Sequence, residues 1–182
     1  MPKNILRNFL VLLFVLFGYG LLFADHGDKK NSHKSKDELS EERYSPIPVN
    51  AAYEKECGAC HVVYQPWLLP SNSWEKILSM LPAHFKETVE IDKEALEDIA
   101  EYLGRYSADK ETNKISLNII KRLNKETPLR ISETFYIRKE HHDLEEAVFQ
   151  RPSVGSRSNC VACHPAAGKG IFNEKQVVVP QK

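Results

Sequence analysis

Cys57-Gly58-Ala59-Cys60-His61 and Cys160-Val161-Ala162-Cys163-His164 are two copies of one pattern, C-x-x-C-H, and together they use all 4 cysteines of the chain. On a short helical turn, thiols at this spacing lie close enough to form thioethers with the two vinyl groups of one haem. The histidine that follows projects toward the iron from the same side and serves as its proximal ligand. Other uses of paired cysteines explain less. A disulfide or a thioredoxin-like pair accounts for C-x-x-C but not for a histidine in the next place both times. Zinc ribbons separate their pairs by roughly 15–20 residues, whereas 99 residues lie between Cys60 and Cys160. The pattern reads as two covalently attached c-type haems, held through Cys57, Cys60, Cys160 and Cys163, with His61 and His164 on the irons.

Each iron needs a sixth ligand unless its site is kept open for chemistry. Of the 7 histidines, His26 and His33 lie in a polar stretch and receive no role. His84, His141 and His142 remain after the two proximal ones. Apart from Met1 the only methionine is Met80, so at most one iron could pair His with Met. Trp74, Ile77, Leu78 and Leu81 fall on one helical face, and Asn72 with Glu75 resembles a reciprocal helix cap. Pro82 then ends or kinks the helix and frees the backbone to present His84, while Met80 reads as packing. His84 is therefore the expected distal ligand of the first haem. His141 and His142 close a second amphipathic stretch that starts at Phe135. Adjacent helical residues point about 100° apart, so only one of them reaches a given iron. Ile137 and Leu144 set His141 on the apolar side; it is the expected ligand of the second haem, with His142 the alternative.

Around these motifs the chain divides by composition. Met1 to Ala24 reads as a secretory signal, with Lys3 and Arg7 ahead of the apolar run from Phe9 to Phe23 and Ala24 at the cut. Leu22 is large for its place three residues before that cut, so an uncleaved membrane anchor is the competing reading. Residues 25–47 form a charged leader with little to bury. An N-terminal haem lobe is expected over 48–104 and a C-terminal haem lobe over 105–182, with 105–130 as connector. Helices are expected over Ala51 to His61, from Asp92 to Leu103 with Asp92 as cap and Gly104 as stop, over Ile115 to Leu123, and over Ser158 to His164. No segment alternates as a strand would. The fold class is thus mainly α, in two small helical lobes each organised around one covalently bound haem. Lobes of this size are marginal alone, so the haem-free chain should be largely unfolded. Trp67, Trp74, Tyr64 and Phe85 are expected to pack near the haems.

Over 182 residues, 25 Lys+Arg balance 25 Asp+Glu, and hydrophobic residues make up 42%. Zero net charge excludes a bulk nucleic-acid binder. The balance hides segregation: residues 48–104 hold 4 basic and 10 acidic side chains, and 105–182 hold 14 and 9. A solvated surface accounts for that split, and so does a charge dipole that orients the molecule toward different partners at its two lobes.

With the ligands placed, the chain resembles the small periplasmic dihaem cytochrome c family. The resemblance is carried by Tyr53-Glu54-Lys55-Glu56 before the first motif, then Pro66-Trp67-Leu68-Leu69-Pro70, Ser73-Trp74 and Leu81-Pro82-Ala83-His84-Phe85. Later come Arg130-Ile131-Ser132-Glu133-Thr134, His141, the second motif with Asn159, Ala167, and Gly170-Ile171-Phe172. The sequence departs at Lys86, where the family pattern has Gly after the His-Phe pair. The resemblance implies bis-histidine ligation of both haems and electron transfer, in some members to an oxygen-binding monohaem cytochrome or from b-type membrane cytochromes.

The leading expectation is a periplasmic electron carrier without catalytic residues. The alternative is a haem enzyme, a peroxidase or small-ligand reductase, with one open iron; a docking module of a membrane complex is a third class. Contact with the membrane is expected only if the signal stays uncleaved. The intact mass of the exported protein should correspond to a chain starting at Asp25 with two haems added; a chain starting at Met1 would identify an anchor.

Overall fold

Asn50, Asp92, Asn113 and Thr134 each stop the chain in an extended conformation and accept a hydrogen bond from the backbone N–H three residues on. This satisfies a donor that a helix start leaves open. In a computed structural model that describes residues 47–181, these caps begin four helices. They are α1 (Ala51–Cys57), α3 (Lys93–Arg105), α4 (Lys114–Lys121) and α5 (Phe135–Glu140). Between the first two lies α2 (Ser71–Ser79), and α6 (Glu146–Phe149) follows α5. The expected signal, its cut, and the leader up to residue 46, with His26 and His33, lie outside the described residues. Among those described there is no strand, and one isolated bridge joins His84 to Glu87. No described helix is long and apolar enough to cross a membrane. The chain is mainly helical.

All described residues belong to one compact unit. α1 and α2 both pack on α3. Tyr53, Leu69, Trp74, Ile77, Ile99 and Leu103 form the cluster between them. A second cluster joins Trp67 and Leu68 to Ile119 of α4, and Ile131 packs on both. Trp67 is only 2% exposed because its short turn, Pro66–Leu68, is covered from both sides. Three bonds hold that turn: Trp74 Nε1 donates to the Pro66 carbonyl at 2.7 Å, Ser116 Oγ to that of Trp67 at 3.0 Å, and Ala108 N to that of Leu69 at 2.9 Å. After α6, the described chain has only 3-10 turns. With so little regular structure, the C-terminal part has few apolar faces of its own to bury.

Four local expectations need correction. Asn72 does not cap α2. The helix starts at Ser71 after Pro70, and Asn72 donates to Thr127 Oγ1 at 3.1 Å. The cap comes from afar: Asp109 accepts from Ser71 N at 2.7 Å and Ser71 Oγ at 3.1 Å. Gly104 does not stop α3, which runs one residue further to Arg105; a glycine amid good helix formers lowers propensity without ending a packed helix. The helix before the first motif closes at Cys57 rather than His61, and the second motif holds a 3-10 turn, Cys160–Ala162, rather than a helix. Gly58 takes the C-cap place, and only glycine fits it. A side chain there would meet the Glu54 carbonyl at 2.2 Å, where Gly58 N donates at 3.0 Å.

Burial raises the pKa of Asp109, but the bonds from Ser71 and Ser107 outweigh it and hold the carboxyl below its ordinary 3.8. A depressed carboxyl stabilises the fold above its unfolded pKa and loses that contribution as pH falls through the folded value. Asp109→Ala should therefore cost about 1 kcal/mol at neutral pH, measured by urea unfolding, with the gap to wild type closing in acid. A gap of constant size across pH would refute the cap.

Candidate functional site

The first motif hangs from the end of α1. Cys57 is the last helical residue, and Cys60 and His61 follow in a tight turn. Tyr53 fixes the helix by donating its hydroxyl to the Tyr64 carbonyl at 2.9 Å. Burial, and then the charge of Glu56, push the Cys57 thiol up to about 11. Cys160 and Cys163 are also raised, in both cases mainly by burial. Raised in this way, these thiols are mostly protonated at neutral pH. Among the described residues, no three His, Cys, Asp or Glu side chains converge into a metal cage.

His84 reaches the first motif from the turn after α2. The 3-10 turn Leu81–Ala83 ends the α2 segment, and the chain then reverses so that Glu87 N donates to the His84 carbonyl at 2.9 Å. The His61 and His84 ring centres lie 6.4 Å apart with planes 21° from parallel. The reversal places both Phe85 and Lys86 in the left-handed region, with φ of 51° and 87°. That conformation is open to glycine and strained for lysine, which accounts for the glycine of the family pattern. Met80 stands at the C-cap of α2, before the turn.

The second motif faces α5. His141 is the C-cap of that helix, and its Nδ1 lies 2.8 Å from the Ile137 carbonyl one turn back. A ring bonded to backbone through Nδ1 keeps Nε2 free to act as an acceptor. The His141 and His164 ring centres lie 5.9 Å apart with planes at 75°. His142 turns elsewhere, its Nε2 3.0 Å from exposed Asp143 and its Nδ1 2.7 Å from the Lys139 carbonyl. Because α5 ends at Glu140, the two neighbours leave the helix in different directions.

Both pairs suit one iron between them. Two imidazoles bound end-on to the same metal, with metal–nitrogen bonds of about 2.0 Å, hold their ring centres roughly 6 Å apart. Burial, and then each facing histidine, lower the pKa of His84 and of His164, with Arg130 adding to the effect on His84. Neutral rings keep the lone pair that a metal requires. Among the described residues, nothing hydrogen-bonds to the buried Nδ1 of His164. The thiols and the facing rings fit two covalently held haems.

Aromatic rings surround the pairs. Tyr64 lies 5.0 Å from His61 and donates its hydroxyl to the Ser158 carbonyl, two residues before Cys160, at 2.7 Å. Phe85 meets His84 edge-on at 4.8 Å, while Trp67 and Trp74 stay in the core. No spacing rule marks Phe172 as a packing residue. It meets His164 at 5.5 Å and Trp67 at 5.9 Å. Its place in Gly170-Ile171-Phe172 was the available signal. Arg130 was likewise visible only as part of a matching segment.

The family model for dihaem cytochrome c matches residues 53–172. Among solved structures, a diheme cytochrome c from Rhodobacter sphaeroides is 32% identical, spans 70% of this chain and 100% of its own, and superposes with a TM-score of 0.62. A diheme cytochrome type c from Shewanella baltica OS155 is 32% identical over 74% of this chain and 96% of its own, with a TM-score of 0.59. No curated protein sequence matches the chain.

Lys86→Gly should raise the stability of the haem-loaded protein by about 1 kcal/mol by removing the positive-φ strain. Denaturant unfolding followed by haem absorbance measures it; an unchanged or lowered midpoint would show that the loop carries no such strain.

Proposed function

Because the chain belongs to the dihaem cytochrome c family and so carries two covalently attached c-type haems, we propose that it is an exported, periplasmic electron carrier in which His61 and His84 hold one iron and His164 and His141 the other. The observation that carries this reading is the spacing of the two facing pairs, 6.4 and 5.9 Å between ring centres. When bound, a haem supplies one-electron chemistry at its iron. The protein's part is to keep both ring nitrogens on the metal in either oxidation state, so that an electron enters and leaves without ligand exchange. Bis-histidine ligation favours lower potentials than a His/Met pair. Hydrogen bonding of His141 Nδ1 to the Ile137 carbonyl strengthens its ring as a ligand.

The partners are other redox proteins, a soluble monohaem cytochrome or a membrane b-type cytochrome. The acidic side chains of residues 48–104 and the basic excess of 105–182 support separate docking faces for donor and acceptor. α3 displays Glu94, Glu97, Asp98 and Glu101 to solvent, while Arg130, Arg138 and Arg157 line a cleft beside His141.

Carbon monoxide tests the ligand set, because it binds only ferrous haem with an open or easily vacated position. The reduced wild type should bind none. His84→Ala and His141→Ala should each bind one equivalent, and His142→Ala none. Stoichiometric binding by the wild type would favour a haem enzyme with an open site. Binding by His142→Ala, with none by His141→Ala, would exchange the two residues' roles.

A further inference from the structure

Arg130 reaches toward both histidine pairs. It precedes the 3-10 turn Ile131–Glu133, and its guanidinium carbon lies 3.9 Å from the centre of the Phe85 ring. That ring meets His84 edge-on at 4.8 Å. The same Arg130 side chain lines a cleft of about 560 Å³ whose wall also includes His141. Two sites built from segments far apart in sequence thus border one fixed positive charge. Its ion pair with Glu133, 3.3 Å long, is exposed on both sides and ties the guanidinium only weakly.

A haem iron carries one more positive charge when ferric than when ferrous. A nearby guanidinium therefore disfavours the oxidised form and raises the reduction potential. The cleft adds a second role. Arg130, Arg138 and Arg157 line it with Ser132, Ser156 and Ser158, and Glu133 is the one carboxylate among its lining residues. Arg157 is already engaged by Glu146 at 2.6 Å. Arg138, and Arg130 beside its weak pair with Glu133, suit an anionic edge such as the haem carboxylates, since planar forks bind carboxylates in two-point fashion.

We propose that Arg130 is an electrostatic group shared by the two haem sites, holding both reduction potentials above the values they would otherwise take. This rests on the histidine assignment of the proposed function, and wild-type spectra test that assignment separately. The experiment is a redox titration, at low salt, of the haem-loaded wild type, Arg130→Gln and Arg130→Lys. Arg130→Gln should shift both potentials to more negative values with its low-spin spectrum unchanged. Arg130→Lys keeps the charge but loses the planar stack, and should leave both potentials close to wild type. A shift of one potential only, or of neither, would overturn the proposal. So would equal shifts in the two variants, or loss of the low-spin spectrum in Arg130→Gln, because each would mean that Arg130 acts through packing.

Discussion

Two imidazole rings facing each other at a distance that admits one metal ion and little else set the constraint on the rest of the chain. The condition is met twice, at 6.4 and 5.9 Å between ring centres. In the proposed ligand set a ring displaced by 1 Å would lose its bond to iron, so each histidine needs backbone that is held from several directions. The first pair is held by α1 and α2, both packed on α3, with the Pro66–Leu68 turn pinned beneath them. The second pair relies on less. α5 has 6 residues and α6 has 4, and the segment bearing Cys160 is a single 3-10 turn. A covalently tethered haem suits such a segment, because the group supplies the apolar body that the chain lacks.

Strain and long-range capping follow from the same demand. The chain doubles back within a few residues to bring His84 over the first motif, and Phe85 and Lys86 take positive φ to do so. Strain of this kind persists where surrounding structure over-determines it. Here the Val89 N–H bond to the Leu81 carbonyl, at 2.9 Å, closes the loop from its far side. At the other end of α2, Asp109 supplies the acceptor for the first turn from 38 residues away. Tyr64 ties the two motifs together through its bond to the Ser158 carbonyl, so neither half is free to settle alone.

The chemistry was more legible in the sequence than the architecture. C-x-x-C-H is a local signal that points to covalent haem without any knowledge of the fold, and the segments around it carried the family resemblance. Asp92 and the helix it starts were equally readable, because a cap and an apolar stripe act within one or two turns. Non-local features did not show. Nothing near Ser71 announces that Asp109 will cap it, and the local pair Asn72 and Glu75 points elsewhere. Gly104 reads as a stop only while the packing of Leu103 against the first cluster is unknown. His141 and His142 differ by one place and separate only where α5 ends. Arg130 and Phe172 gain their meaning from contacts with His84's neighbour Phe85 and with His164, which no spacing rule encodes.

Two histidines on each iron are the central requirement of the proposed carrier, and paramagnetic resonance of the fully oxidised, haem-loaded protein reads them directly. It should show two low-spin ferric centres per chain and no high-spin signal. The two should differ, since one pair of ring planes lies 21° from parallel and the other at 75°, and the two arrangements split the iron orbitals unequally. A high-spin signal amounting to one haem would mean that one of the facing histidines is not a ligand, and the proposed electron carrier would give way to a protein with an open iron.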